Sequence, residues 1–268
     1  MPDMRVACIQ LTSVRQVEEN LAAAACLLGQ AAAAGAKLAL LPENFAFMGG
    51  NDDQKRVIAE DQNDSAILKF LAGQAEKHGM AIVGGSLLLS GEGDKVRNAC
   101  PVFDGKGQLL TIYDKIHLFD MDYQGESYRE SAFIEAGKKP AQVSIEGFKT
   151  GLSICYDLRF PELYRLYAEN GCQVLCNVAA FTATTGRAHW LTLLRARAIE
   201  NQCYMLASAQ SGEHPDGRQT WGHSMIIDPW GEVLAELAEG QGFITADVSL
   251  RRLEQVRISM PVLQHRRY

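Results

Sequence analysis

Apolar and polar residues in the first half of the chain follow the spacing of alternating strands and helices. Residues 4–11 alternate as a strand does, and the Ala- and Leu-rich stretch over 14–34 has the composition of a helix ending near Gly35. The predicted order is a strand over 4–11, a helix over 14–34, a buried strand over 38–44, a helix over 65–78, a strand over 80–89 and a hairpin over 98–115.

The second half repeats this order after a polar stretch near 120–140. Its longest helix carries Trp190, Leu191 and Leu194 on one apolar stripe. The predicted order is a strand over 150–157, a helix over 161–171, a buried strand over 172–180, a helix over 186–202, a strand over 203–210, a hairpin over 222–237 and a final strand over 242–250.

Two halves with the same order of elements indicate an internal pseudo-duplication. We expect each half to pair one sheet with two helices. The economical packing is sheet against sheet with helices outside, a four-layer α-β-β-α sandwich of the α/β class. No stretch rich in Pro, Gly or Ser separates the halves. The sequence therefore predicts a single domain over 1–268.

Composition excludes several classes of protein. The chain is 47% hydrophobic and 22% charged, which is typical of a globular domain rather than a disordered or membrane protein. A formal net charge of −6 argues against nucleic acid or an anionic membrane as the main partner. We expect no signal peptide at residues 1–11, and seven cysteines without one favour reduced thiols and a cytoplasmic location.

Three polar residues stand at the ends of predicted strands. Glu43 follows the strand that begins at 38, Lys115 ends the hairpin, and Cys155 follows the run GLSI. Reactive groups of α/β sheets collect beyond the carboxyl ends of the strands. Each residue alone also fits a structural or surface position. Together they describe an acyl-transfer site with a thiol, a carboxylate and an ammonium group.

Their surroundings predict how these groups ionise. Pro161 suits the first turn of a helix, and the positive end of that helix favours a thiolate at Cys155. Glu43 beside an apolar strand is expected to have a raised pKa and to act as a general base. Lys115 offers a cation for the negative charge that develops when a carbonyl is attacked.

Competing chemistries find less support in the sequence. A Cys–His protease needs an oriented histidine, and the six scattered histidines carry no local signature. Cys172 and Cys176 lack a second ligand pair at zinc spacing and fit a buried strand better. The stretch 91–95 is a turn rather than a phosphate-binding loop.

The segments LPEN, YDKIHLFD and CYDLRFPELYR, in that order, resemble the three signature segments of the nitrilase (carbon–nitrogen hydrolase) superfamily. Three further segments resemble its Nit branch: AFTATTGRAHW, LRARAIENQCY and GHSMIIDPWGEVLAE. The resemblance covers nearly the whole chain. It implies hydrolysis of a non-peptide C–N bond through a cysteine thioester, with neither a cofactor nor a metal.

The resemblance also assigns roles to residues. Glu43 is the expected base, Lys115 the stabiliser of the oxyanion and intermediate, and Cys155 the nucleophile. The backbone N–H of Tyr156 is expected to complete the oxyanion hole. Glu130, within Tyr-Arg-Glu-Ser, matches a second family glutamate that is expected to help hold the lysine and to position the water or amine, whereas the nearby Glu126 lacks the flanking aromatic and serine.

Substrate contacts are predicted around the same strand ends. Arg159 could form a fork with a substrate carboxylate or pair with Asp157 or a helix. The loop over 180–186 is expected to overhang the pocket, with Phe181 and Thr185 either packing and hydrogen bonding to substrate or serving the loop itself. Relatives often carry a proline where this chain has Val178, which leaves the start of that loop less fixed.

The C-terminal MPVLQHRR resembles the subgroup that cleaves deaminated glutathione into 2-oxoglutarate and cysteinylglycine. The alternatives are an ω-amidase acting on 2-oxoglutaramate or 2-oxosuccinamate, a nitrilase, and a non-catalytic protein with the same fold. The resemblance further implies a homodimer, or a higher homo-oligomer, that associates through helices over 161–170 and 187–201. We expect a small-molecule amide as the substrate, with no nucleic acid or membrane partner.

Overall fold

The computed structural model describes residues 3–123 and 125–267. Residues 1, 2, 124 and 268, which the single-domain prediction includes, lie outside this range. No helix among the described residues is long and apolar enough to cross a membrane. The helices and strands are β1 (Asp3–Gln10), α1 (Val17–Ala33), β2 (Leu38–Leu40), α2 (Asp52–Ile58), α3 (Ala66–His78), β3 (Ala81–Val83), β4 (Leu87–Ser90), β5 (Val96–Phe103), β6 (Leu109–Asp114), β7 (Asp120–Tyr123), β8 (Glu126–Arg129), β9 (Gln142–Ile145), β10 (Phe148–Ile154), α4 (Pro161–Glu169), β11 (Val174–Ala179), α5 (Ala183–Asn201), β12 (Tyr204–Ala209), β13 (Ser211–Glu213), β14 (Gln219–Trp221), β15 (Ser224–Ile227), β16 (Val233–Leu237), β17 (Gly242–Ser249) and α6 (Leu250–Ser259).

Two large sheets carry the fold. The first has the strand order β17-β1-β2-β3-β5-β4, with β6 paired to β5, and the second has the order β16-β15-β12-β11-β10-β9. Strands β1, β2 and β3 are parallel, as are β10, β11 and β12. Each sheet then continues with an antiparallel strand, β5 in the first and β15 in the second. The matching order agrees with the predicted internal duplication.

Successive side chains along a strand point to opposite faces of the sheet, and the two faces pack against different layers of the fold. Val6 on β1 belongs to a core shared with Leu152 of β10, so this face of the first sheet packs against the second sheet. Ile9 points to the opposite face and packs with Leu28 of α1. Trp190 of α5 is fully buried against the outer side of the second sheet. The predicted four-layer α-β-β-α sandwich is confirmed.

The strand predicted over 80–89 is two strands, β3 and β4, because the chain turns at Gly84 and Gly85. Gly85 has φ +60°, and a Cβ there would lie 2.1 Å from the carbonyl oxygen of Pro42. Only glycine allows this approach. The turn therefore packs directly against the end of β2, where Glu43 begins its loop.

Other differences arise where pairing is made across long stretches of sequence. The final strand, β17, pairs antiparallel with β1 and so completes the first sheet rather than the second.

Some elements are absent from the predicted order. The polar stretch near 120–140 contains the β7–β8 hairpin, and α2 and α6 were not predicted. These elements are short or mostly polar, so the hydrophobic pattern carries little signal for them.

Candidate active site

The three residues predicted at strand ends form one buried cluster. Glu43 lies three residues beyond β2, while Lys115 and Cys155 directly follow β6 and β10. Their exposed fractions are 3%, 2% and 8% respectively. Burial of an unpaired charge is strongly unfavourable, so charged side chains this deep require partners.

Lys115 provides the cation at the centre of the cluster. Its Nζ donates to Oε1 of Glu43 and to Oε1 of Glu130, both at 2.9 Å. Burial lowers the pKa of the ammonium group, but the carboxylates of Glu130 and Glu43 raise it further, so that the pKa lies well above its ordinary value. Lys115 is therefore a fixed positive charge at neutral pH.

Glu43 is held through both carboxylate oxygens. Oε1 accepts a second hydrogen bond from Asn98 Nδ2 at 2.9 Å, and Oε2 accepts one from the N–H of Ala180 at 2.8 Å. Burial raises the pKa of Glu43, but the charge of Lys115 and hydrogen bonds from Lys115, Cys155 and Asn98 outweigh it and lower the pKa. The predicted raised pKa is therefore wrong, and the carboxylate is ionised before substrate arrives.

The predicted thiolate at Cys155 is also wrong. Burial and the neighbouring Glu43 carboxylate raise the pKa of the thiol well above its ordinary value, and the opposing effect of Lys115 is smaller. The thiol hydrogen bonds with Glu43. Helix α4 begins at Pro161 as predicted, but its N-terminus does not outweigh these closer groups. The resting cluster thus contains a neutral thiol beside an ionised base.

Cys155 sits on a sharp turn between β10 and α4. It has φ +47°, a left-handed conformation that is rare for a residue with a side chain. It also begins a 3-10 turn over Cys155–Arg159, in which Tyr156 is the next residue. The Asp157 carboxylate closes the turn by accepting the N–H of Ile154 at 2.8 Å. Such a turn holds the sulfur out of the regular strand.

Asp157 also ties this turn to the segment that carries Lys115. Its carboxylate, fully buried, accepts the Tyr113 hydroxyl at 2.7 Å and the backbone N–H of His117 at 3.0 Å. The ring of His117 stacks on Phe160 with centroids 3.6 Å apart. Sequence analysis did not single out Asp157, Tyr113 or His117 as supports of the site, although all three lie within two of the signature segments.

Glu130, rather than Glu126, reaches the cluster. Besides Lys115, it accepts the backbone N–H of Phe119 at 2.6 Å through Oε2. Glu126 instead accepts the Thr184 hydroxyl at 2.6 Å on the first turn of α5. The structure thus brings Glu130 together with Glu43, Lys115 and Cys155 as predicted.

Asn98 is a site residue that the sequence analysis missed. It lies on β5, and its Nδ2 faces the carboxylates of Glu43 and Glu130 at 2.9 and 3.5 Å. Two acceptors fix the orientation of the amide. Its Oδ1 is buried without a hydrogen-bond partner within the described part of the chain. Asn98 belongs to no signature segment, so only the pairing of β5 with β6 reveals its position.

The predicted substrate contacts gather on the other side of Cys155. The Arg159 guanidinium lies 5.2 Å from the Phe181 ring centroid and 3.1 Å from Nδ1 of His189. Asp157 is occupied by other donors, so the predicted Arg159–Asp157 pair is wrong, whereas the contact with His189 on α5 agrees with the other alternative, a pairing with a helix. Thr185 lies in the first turn of α5, where its N–H is bonded to the Thr182 hydroxyl. The expected loop over 180–186 is therefore largely the capped start of a helix.

Cavities open on two sides of the thiol. One of about 280 Å³ is lined by residues that include Glu43, Lys115 and Cys155. A narrow one of about 20 Å³ is lined by Cys155, Arg159 and other residues, including Phe181 and Thr185. The narrow cavity adjoins a wider cavity of about 820 Å³, with Arg159 lining both.

Cysteine pairs offer no rival centre. Cys172 and Cys176 are buried in the apolar core, as interpreted from the sequence. No group of three His, Cys, Asp or Glu side chains in the described ranges is arranged to hold a metal ion.

Comparisons with known proteins agree with this geometry. The model of the carbon-nitrogen hydrolase family matches residues 5–258. A protein of Synechocystis sp. (strain PCC 6803 / GT-S) named deaminated glutathione amidase is 46% identical, with 97% of each chain covered. The omega-amidase NIT2 of Danio rerio is 37% identical, with 100% of this chain and 96% of that protein covered.

The fold is also similar to that of a solved structure from the same superfamily. The crystal structure of Saccharomyces cerevisiae Nit3, a member of branch 10 of the nitrilase superfamily, superposes with a TM-score of 0.90 at 31% identity. The match covers 99% of this chain and 97% of that one.

Proposed function

The chain belongs to the carbon–nitrogen hydrolase family and is a hydrolase of carbon–nitrogen bonds, and from this premise we propose that it cleaves deaminated glutathione to 2-oxoglutarate and cysteinylglycine. The observation that carries the chemistry is the buried contact of Cys155, Glu43 and Lys115. The 46% identity to a deaminated glutathione amidase, against 37% to an omega-amidase, favours this substrate.

Acylation begins with the neutral thiol and the ionised carboxylate. Glu43 takes the proton of Cys155 as the sulfur bonds to the amide carbon, so that a thiolate forms only when it is used. The lowered pKa of Glu43 and the raised pKa of Cys155 describe the resting proton position. When the C–N bond breaks, protonated Glu43 returns the proton to the leaving nitrogen.

The charge that develops on the carbonyl oxygen needs donors fixed in advance. Lys115 and the backbone N–H of Tyr156 supply them, and one such donor is typically worth about 100- to 1,000-fold in kcat. Two carboxylates keep Lys115 in place through bonds of 2.9 Å each. Glu130 acts here as a positioning residue for the ammonium group.

Water completes the cycle. Glu43 removes a proton from the water as its oxygen bonds to the thioester carbon. The carbon–sulfur bond then breaks, and the thiol recovers its proton from Glu43.

The acyl group is recognised through its 2-oxo acid end. Arg159 offers a guanidinium for the carboxylate, and Phe181 and Thr185 line the same narrow cavity. That cavity of about 20 Å³ has the size of roughly one water molecule. The acyl group therefore also needs space in the wider neighbouring cavity, which Arg159 lines as well.

Comparison of specificity constants tests this substrate assignment. We expect kcat/KM for deaminated glutathione to exceed that for 2-oxoglutaramate by at least tenfold. A ratio in favour of 2-oxoglutaramate assigns the alternative function, an ω-amidase, and hydrolysis of nitriles alone contradicts both. The chemistry at Cys155 is common to the two amidase functions.

We also propose a homodimer built through α4 and α5. Leu166, Leu191 and Ile199 are exposed apolar residues on these helices, at 38%, 43% and 39% respectively. A cytoplasmic location is proposed because all seven cysteines are free thiols. One domain over 1–268 is supported by the apolar core that both sheets share.

A further inference from the structure

The two cavities beside Cys155 identify the side on which the leaving group lies. The leaving nitrogen must receive its proton from Glu43. Glu43 lines the cavity of about 280 Å³ together with Lys115 and Asn98, whereas the narrow cavity is lined by Arg159 and not by Glu43. The leaving amine therefore occupies the larger cavity, and the acyl group occupies the Arg159 side.

Four cations line the cavity of the leaving amine, and three of them are paired with carboxylates. Lys115 is paired with the carboxylates of Glu43 and Glu130. Nζ of Lys55 lies 3.3 Å from Oδ1 of Asp52. Arg129 is paired with Asp122. The fourth cation, Arg218, makes no ion pair with any described residue, which leaves its charge available to a ligand.

Arg218 is presented to the cavity by a firmly anchored hairpin. The β13–β14 turn is closed by the His214 N–H donating to the Arg218 carbonyl oxygen at 2.9 Å. The imidazole of His214 is 3% exposed and is bonded to the carbonyl oxygen of Ser13 and to the Thr220 hydroxyl. These hydrogen bonds hold the backbone of Arg218 in place.

The side chain of Arg218 is also directed by contacts. Its guanidinium lies over the Tyr128 ring, 5.0 Å from the ring centroid, and Tyr128 lines the same cavity. Asp216 accepts the backbone N–H of Arg218 at 3.1 Å, so this carboxylate is bound to the main chain. A guanidinium stacked on one face keeps its in-plane N–H donors available for a carboxylate.

We propose that Arg218 binds the terminal carboxylate of a peptide-like leaving group, and so selects amides of carboxylate-ended amines over simple amides that release ammonia. This inference rests on the proposed function. In deaminated glutathione the leaving amine is cysteinylglycine, whose carboxylate lies roughly 7 Å from the scissile nitrogen, two residues along an extended chain. Ammonia has no such group and makes no contact with Arg218.

The test compares deaminated glutathione with its C-terminal carboxamide. A charge-assisted bond to a carboxylate is worth about 10- to 100-fold in affinity. The wild type is expected to prefer the carboxylate over the carboxamide by that factor in kcat/KM. Arg218→Gln is expected to bring the ratio near one, and Arg218→Lys to restore part of it.

Arg251→Gln is the matched control, because it removes the same charge from an exposed position on α6. It should retain the wild-type ratio. A wild-type ratio near one overturns the proposal without any variant, as does an Arg218→Gln enzyme that keeps the preference.

A parallel assay with 2-oxoglutaramate separates this proposal from the proposed function. If the wild type hydrolyses 2-oxoglutaramate but not deaminated glutathione, the proposed substrate is wrong and the Arg218 subsite fails with it. If it hydrolyses deaminated glutathione and its carboxamide equally, only the subsite is wrong.

Discussion

Nζ of Lys115 lies 2.9 Å from Oε1 of Glu43, and both side chains are almost completely buried. This contact determines the proton positions in the resting site. The nearby ammonium keeps the Glu43 carboxylate ionised despite burial, while burial and that carboxylate keep the Cys155 thiol neutral. The base is thus prepared to take a proton that the nucleophile still carries.

The first prediction concerns the acid side of the pH profile. Activity needs ionised Glu43, and a lowered pKa keeps the carboxylate ionised until the pH falls below the ordinary glutamate range. We expect kcat/KM of the wild type to stay constant from neutral pH down to about pH 5. A measured loss of activity centred near pH 6 or above contradicts the lowered pKa.

Lys115→Gln tests the cause of that lowered pKa. Without the ammonium, only hydrogen bonds such as those from Cys155 and Asn98 oppose the effect of burial, so the acid limb of the kcat/KM profile should move to higher pH. Loss of a donor to the oxyanion should also lower kcat by about 100- to 1,000-fold. An unchanged acid limb in an active Lys115→Gln enzyme would show that Lys115 does not control Glu43.

The same variant should be less stable. Removing one partner of a buried ion pair typically costs about 3–5 kcal/mol, because it leaves uncompensated charge. Urea unfolding at pH 7 gives the free energy of unfolding for both proteins. Equal values for the variant and wild type contradict a buried, charged cluster.

Glu130→Gln tests the positioning of Lys115. The amide keeps the shape of the side chain but loses one of the two carboxylates that hold the ammonium. We expect kcat to fall about 10- to 100-fold with little change in KM, because the ammonium acts mainly on the transition state. Glu126→Gln is the control, and the assignment fails if it causes the larger loss.

Much of this site could be predicted because its residues sit at the ends of local apolar runs. Glu43, Lys115 and Cys155 each follow a strand whose pattern is visible in the sequence, and the packing of the two mixed sheets brings those strand ends together. Glu130 could be chosen over Glu126 only through the resemblance to a family segment.

The pKa directions could not be predicted, because they depend on contacts between distant parts of the chain. Glu43 was expected to be desolvated, but Lys115, which cancels that effect, lies 72 positions later. Asn98 and Arg218 escaped attention for the same reason, since nothing in their local sequence indicates a pocket. Strand β17 likewise finds its partner β1 at the other end of the chain.

The proposed dimer gives a prediction about mass. Leu191→Glu places a charge at an exposed apolar position of α5 and should convert the dimer to monomers. Size-exclusion chromatography with light scattering measures this change. Val57→Glu, at an 84% exposed position on α2, is the control and should retain the wild-type mass. A wild-type monomer contradicts the proposal directly.

The most direct test of the central claim is intact-mass measurement of the enzyme during turnover of deaminated glutathione. We predict a 2-oxoglutaryl adduct on Cys155 in the wild type and in Cys26→Ala, which removes an exposed cysteine. Cys155→Ala should keep its fold but show neither adduct nor turnover, a loss of at least about 1,000-fold. Wild-type turnover by Cys155→Ala, or an adduct on another residue, would contradict the account.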